Sequence, residues 1–214
     1  MRFVANSTRS DVSHSQPDHH WFPGFLAPPV TTEMMAAICR DTPWRHDTIT
    51  LFGQTHDVPR LTALMGDEGV TYRYSRITME AIAWSAPVAE LRRGVEEKSE
   101  TRFNSVLLNW YRDGRDSNGW HADDEPELGE EPVIASLSLG VTRTMRFRRR
   151  DGEATFAIDL ADGDVLVMYG DSQRDWLHTV AKSTRVTRDR LNLTFRLMGP
   201  RSNDAAPTTP SRRQ

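Results

Sequence analysis

Residues 103–129 read FNSVLLNWYRDGRDSNGWHADDEPELG, and residues 190–196 read RLNLTFR. The first opens as an apolar run and breaks at DGRDSNG, a cluster of turn residues. The second alternates, with Leu191, Leu193 and Phe195 on one face and Arg190, Asn192, Thr194 and Arg196 on the other. Between them the rhythm recurs: PVIASLSLGV, TMRFRR, ATFAIDL, DVLVMYG, WLHTVA and LNLTFRLM are short apolar segments, punctuated by RDG, ADGD and GDSQRD. Short strands at this spacing predict an all-β sandwich or barrel over about 103–198.

Upstream of this block the pattern is helical twice. TTEMMAAICR follows the Pro28-Pro29 pair, and Ser85 to about Ser99 offers Ser85 as N-cap, Pro87 in the first turn and Val88, Leu91 and Val95 at helical spacing. Both helices are expected to pack outside the β structure. Residues 1–18 and 200–214 are polar and without periodicity, and are expected to be flexible ends. The 214 residues suit one domain, over 19–199, since a compact domain runs to ~100–200 residues. A 37% hydrophobic fraction beside 27% charged residues argues against a disordered chain. No apolar run approaches the ~18 residues of a spanning helix, and the N-terminus has no apolar h-region, so neither a membrane nor a secretory route is expected. Cys39 is the only cysteine, which excludes an internal disulfide and a multi-cysteine metal centre and points to a reducing, intracellular setting, with a bacterial cytoplasm as the expectation and a monomer as the default.

The net charge of −3 argues mildly against a dedicated nucleic-acid binder, but its distribution is uneven. Arg143 to Arg150 carries five arginines in eight positions, and Asp123 to Glu131 six acids in nine. Such asymmetry either creates a local field or marks two solvated loops.

Two constellations could do chemistry. In His121-Ala122-Asp123, an extended backbone would send imidazole and carboxylate to one face, and His178, far along the chain in another short strand, is the best third ligand. Two histidines and one carboxylate suit non-heme Fe(II) oxygenase chemistry, because they leave coordination positions open. Alone, H-x-D equally fits an exposed hydrogen-bonded pair. Arg190 and Arg196 share a strand face and lie roughly 20 Å apart at strand rise, so they could reach a ligand from both ends; guanidinium geometry suits carboxylates. An ordinary amphipathic strand with a solvated polar face is the other reading. No G-x-S-x-G elbow, P-loop or dinucleotide fingerprint is present.

In combination, H-x-D, a distant His and Arg-x5-Arg in a β context resemble the AlkB family of Fe(II)/2-oxoglutarate dioxygenases. The likeness runs from about Trp21 to Met198, through PRLTALMGDEGVTYRYSRI, FNSVLLNWYRDGRDSNGWHADDEPELG, PVIASLSLGVTR and RLNLTFR, and is greatest for the nucleic-acid demethylase branch. The resemblance implies a mainly β fold with flanking helices, a double-stranded β-helix (jelly-roll) core over about 103–198, and a nucleotide-recognition lid over about 45–80. It implies Fe(II), 2-oxoglutarate and O2 as cofactor and co-substrates, with His121, Asp123 and His178 as iron ligands. Arg190 would meet the distal carboxylate of 2-oxoglutarate, Arg196 would stand nearer the metal, and Asn109, Tyr111 and Asn192 would hydrogen-bond the co-substrate. The implied reaction couples 2-oxoglutarate decarboxylation to hydroxylation of an N-methyl group on a base in alkylated DNA or RNA, with loss of formaldehyde.

By the same resemblance, Tyr72 and Tyr74 are lid residues against the flipped base, and Asp124 and Glu125 favour a cationic base such as 1-methyladenine or 3-methylcytosine. Phe52, with Gly53, matches an intercalating wedge of duplex-active members. Gln54, however, stands where some of these carry lysine, and TYRYSRITME looks closer to members that favour single strands or RNA. Arg60 and the Arg143–Arg150 cluster, Arg143 and Arg148 above all, are candidate nucleic-acid contacts. Three functions follow: a nucleic-acid dealkylase, a 2-oxoglutarate oxygenase acting on a tRNA modification, protein or lipid, and a silent nucleic-acid-binding module. Tyr72, Tyr74 and the acid pair favour the first over the second, and complete iron and co-substrate sets tell against the third.

Overall fold

Along Arg190–Arg196 polar and apolar side chains alternate, yet all seven residues are buried. Both faces of this strand are therefore covered, which rules out the alternative of an amphipathic strand with a solvated polar face. The computed structural model describes residues 15–51, 54–74 and 77–199. In chain order the elements are β1 (His19–Phe22), α1 (Val30–Asp41), β2 (Thr48–Leu51), β3 (Gln54–Asp57), β4 (Leu61–Gly66), β5 (Thr71–Tyr74), β6 (Ile77–Glu80), α2 (Ala86–Ser99), β7 (Ser105–Tyr111), β8 (Asn118–His121), β9 (Ile134–Gly140), β10 (Arg143–Arg149), β11 (Thr155–Leu160), β12 (Val165–Met168), the one-turn helix α3 (Ser172–Asp175), β13 (Trp176–Val180) and β14 (Arg190–Arg196).

Two antiparallel sheets face each other, as the jelly-roll expectation requires. The larger runs β1-β12-β9-β14-β7-β4 and the smaller β11-β10-β13-β8, while β2-β3 and β5-β6 are separate two-stranded pairs. The period of two along each strand of the larger sheet sorts its residues into two layers. Val106, Leu108, Ala135, Leu137, Leu139, Leu191, Leu193 and Phe195 pack outward with Ile38 of α1 and Val88, Leu91 and Val95 of α2. Leu107, Tyr111, Ile134, Leu166 and Met168 face inward and meet Met145, Phe147, Ile158, Leu160, Trp176 and Val180 of the smaller sheet. Each Val, Leu, Ile, Phe or Met among them contributes roughly 1.5–3 kcal/mol relative to exposure. The inward layer also holds the polar residues of β14, so the functional groups line the interior.

Two further expectations change. NGWH, which the turn residues Asn118 and Gly119 seemed to break, is the edge strand β8, paired with β13 through His121 and His178. Leu61–Gly66, inside the stretch expected to form a lid, runs along β7 as the edge of the larger sheet, because Thr62 to Gly66 are all buried there. The tails at 1–14 and 200–214 lie outside the described residues, but Asp18 is tied down: its carbonyl accepts from Tyr169 N–H and its carboxylate from Asp171 N–H, both at 3.2 Å.

Candidate active site

His121 closes β8 opposite His178 on β13, with ring centroids 4.2 Å apart. Asp123 lies past the end of β8, so strand alternation does not align it with His121. Its place is set from two other directions. The backbone N–H of Asp123 donates to Oε1 of Gln173 on α3 at 3.0 Å, and its Oδ2 accepts from Nη2 of Arg196 at 2.9 Å. The three side chains then bring one ligand atom each within 4.8 Å of one another. The sequence gives no sign of Gln173, which sits inside the turn-like GDSQRD.

The donor set suits a divalent metal. His121 Nδ1 lies 2.8 Å from the Gly119 carbonyl, which can only accept, so Nδ1 carries the proton and Nε2 keeps its lone pair, 3.1 Å from the Asn118 amide. Burial lowers both imidazoles, His178 to about 3, so both are neutral near pH 7. Burial alone would raise the Asp123 carboxyl, but the charge of Arg196 and then the two imidazoles bring it down to about 2. Two neutral imidazoles and a carboxylate form the ligand set that leaves coordination positions open on iron. His178 Nδ1 is buried without a hydrogen-bond partner.

On the facing sheet, β14 pairs with β7 so that Arg190 lies opposite Tyr111 and Asn192 opposite Asn109. Asn109, Tyr111, Asn192 and Arg196 all line one cleft with the three candidate ligands. Arg190 lies behind Tyr111, fully buried, its guanidinium 5.4 Å from the ring centroid. Its Nη2 donates to Ser138 at 2.8 Å, while Nε and Nη1 have no partner and, among the described residues, no acid pairs with it. Burial lowers it only to about 10, so it stays cationic. A buried, unpaired guanidinium is strongly unfavourable unless an anion reaches it. Asn192 is anchored, donating to Ser136 Oγ at 2.8 Å and the Leu137 carbonyl at 3.1 Å. Ser136 and Thr194, not singled out in the sequence, also line the cleft.

At the same cleft Tyr72 is buried and donates to Glu125 at 2.8 Å, with the Arg196 guanidinium 5.2 Å from its ring. Burial, reinforced by Asp123, raises the Glu125 carboxyl. Tyr74 closes β5, its backbone paired with that of Ile77 on β6. Asp124 does not share Glu125's place beside Tyr72. It is exposed and bound to Arg150, so its charge is already compensated. Phe52 and Gly53 lie outside the described residues.

Two of the arginines expected at a nucleic-acid surface are inside. Arg60 is buried, lines the cleft, and donates to Asn109 Oδ1 at 2.7 Å and the Ser117 carbonyl at 3.3 Å. Arg143 is buried because β10 turns every second residue inward; its Nη2 serves the carbonyls of Asp116 and Ala181. Arg148, in the alternate register, is exposed.

Comparison with known proteins decides the family. The 2OG-Fe(II) oxygenase superfamily matches residues 18–196, which take in both sheets and all three candidate ligands. The chain belongs to this superfamily. The family's description names Fe(II) and 2-oxoglutarate, and the His121–Asp123–His178 cluster fits a site for such a metal. The chain is 41% identical to mouse alpha-ketoglutarate-dependent dioxygenase alkB homolog 3 over 189 residues, 84% of this chain and 65% of the relative. It is 37% identical to the mouse DNA oxidative demethylase ALKBH2 over 160 residues, 71% of this chain and 67% of the relative. Both names belong to the AlkB family that the sequence motifs resemble. The chain spans about 65% of the length of the first of these relatives. The structure of OsALKBH1 superposes with a TM-score of 0.62 over 86% of this chain and 99% of that one, at 18% identity, a likeness of fold.

Proposed function

We propose that this oxygenase removes N-alkyl groups from nucleobases, 1-methyladenine and 3-methylcytosine, in DNA and RNA, as an alkylation-repair demethylase. The observation that carries the reading is a single cleft lined by a His-Asp-His cluster and by the buried Tyr72, itself bonded to the half-buried Glu125, with an unpaired guanidinium, Arg190, behind Tyr111. The relatives named as a dioxygenase and a DNA oxidative demethylase support it.

In this reading His121, Asp123 and His178 hold Fe(II), which with O2 and 2-oxoglutarate supplies the oxidising power that turns an N-methyl C–H into C–OH as 2-oxoglutarate leaves as succinate and CO2. Arg190 takes the distal carboxylate of 2-oxoglutarate, which would satisfy the two donors now without partners. Asn109, Tyr111 and Asn192 orient the co-substrate. Arg196 holds Asp123 in place and keeps it ionised. Tyr72 and Tyr74 stack on or flank a base swung out of its strand, and the β2-β3 and β5-β6 pairs form the recognition lid. Glu125, bonded to Tyr72, is the acid left to select a cationic base, since Asp124 is engaged by Arg150. The hydroxylated methyl then departs from the base nitrogen as formaldehyde.

Incubation with Fe(II), ascorbate, 2-oxoglutarate and O2 on 1-methyladenine in matched single-stranded DNA, duplex DNA and RNA tests the proposal, with methyl loss followed by mass spectrometry. Loss that stops when iron or 2-oxoglutarate is omitted is the expected result. Succinate formation without methyl loss would replace it with an oxygenase acting on a tRNA, protein or lipid.

A further inference from the structure

The arginine cluster at 143–150 separates into three kinds of residue. Arg143 is buried against carbonyls, and Arg149 and Arg150 are paired with Asp151 and Asp124. Arg146 and Arg148 remain exposed on β10 with no acid partner among the described residues. Their register places them on the outer face of the smaller sheet, because the intervening Phe147 is buried and pairs with His178.

On that face, two strands away, stands Trp120, 41% exposed. The Arg148 guanidinium reaches across β13 to lie 4.5 Å from its ring centroid. Trp120 directly precedes His121 on β8, which is the edge of its sheet. A chain whose reacting base is held on the His121 side therefore has only one sheet edge to round before it meets the indole. The surface carries two cations suited to phosphates and one large indole, of which the Arg148 guanidinium covers one face, in a protein whose net charge of −3 gives no general attraction for polyanions.

We infer that the β8 edge and outer face of the smaller sheet form a platform for the single-stranded nucleic acid flanking the target base, with an unpaired neighbouring base stacked on Trp120 and phosphates on Arg146 and Arg148. It rests on the dealkylase reading and adds where the strand runs. Phosphates alone would need only the arginines; the exposed indole fits a base with a free face, which a paired duplex withholds.

The test uses a fluorescein-labelled single-stranded oligonucleotide carrying 1-methyladenine in mid-chain, its duplex, and 1-methyl-2′-deoxyadenosine 5′-monophosphate, which has no neighbour to stack. Trp120→Ala is expected to weaken binding of the single strand roughly 5- to 150-fold, the range for loss of one base–aromatic stack. Its effect on the duplex and on turnover of the mononucleotide is expected to be much smaller, and Trp120→Phe to restore most of the loss. Removing Arg146 and Arg148 is expected to flatten the dependence of log affinity on log salt by roughly 0.7 per arginine. Unchanged binding of the single strand by Trp120→Ala, in a parent protein that demethylates it, overturns the platform alone. An equal loss on the mononucleotide also overturns it, by assigning Trp120 to the support of His121. A parent protein that neither binds nor demethylates any of the three removes the dealkylase reading and the platform with it.

Discussion

Arg190 and Arg196 share one strand face, and their surroundings differ. Arg196 is paired with Asp123, whereas Arg190 is buried with two donors unpartnered. Removing an unpaired buried charge relieves a desolvation penalty, so Arg190→Leu is expected to melt no lower than the parent without ligand and to lose the rise in Tm that 2-oxoglutarate gives the parent. Thermal melts with and without 2-oxoglutarate check this; a variant still stabilised by it would free Arg190 of the role. Gln173 acts on Asp123 through one hydrogen bond to its backbone. Gln173→Met removes the acceptor at nearly constant volume and is expected to lower Co(II) affinity roughly 10- to 100-fold, while Gln173→Glu keeps an acceptor and most of the affinity. Calorimetric titration of the folded variants measures both, and equal affinities would show that Arg196 suffices. The arginine pair was legible in RLNLTFR because spacing of two is a local property. Gln173 was not, since its partner is 50 residues away.

At the scale of the element, β14 is the centre of the molecule: β9 and β7 flank it, helices lie on one side and the smaller sheet on the other. Leu193 is fully buried between α-helical and strand neighbours, so Leu193→Ala is expected to destabilise by about 2–5 kcal/mol, read from urea unfolding. A loss well under that range would mean that the outer layer closes over the cavity. Periodicity located both helices to within a residue or two and most strands of the core. It missed β8, because Asn118 and Gly119 favour turns when read locally, and only pairing with β13 holds them extended. It also placed β4 with the lid, since nothing in Leu61–Gly66 states that β7 is its neighbour.

For the whole molecule, the site is assembled from both sheets, so ligands that bridge them should stabilise the fold by mass action. Mn(II) and 2-oxoglutarate at about a hundred times their dissociation constants are expected to add about 2.7 kcal/mol each, seen as a higher Tm, with the metal share absent in His121→Ala. His121 is only half-buried, which keeps that variant foldable; an undiminished metal shift would move the metal elsewhere. The sequence by itself determined the all-β core and the flanking helices and pointed to His121, Asp123 and His178 as candidate donors, because alternation, turn chemistry and motif spacing are carried by neighbours along the chain. Only the tertiary structure decided that the polar face of β14 is buried, that Arg60 and Arg143 are interior while Arg146 and Arg148 are not, and that Asp124 is engaged by Arg150 while Glu125 joins Tyr72. Those outcomes depend on which sheet covers which face and on charges brought together from distant segments, and burial and Coulomb energy are fixed by distance in space.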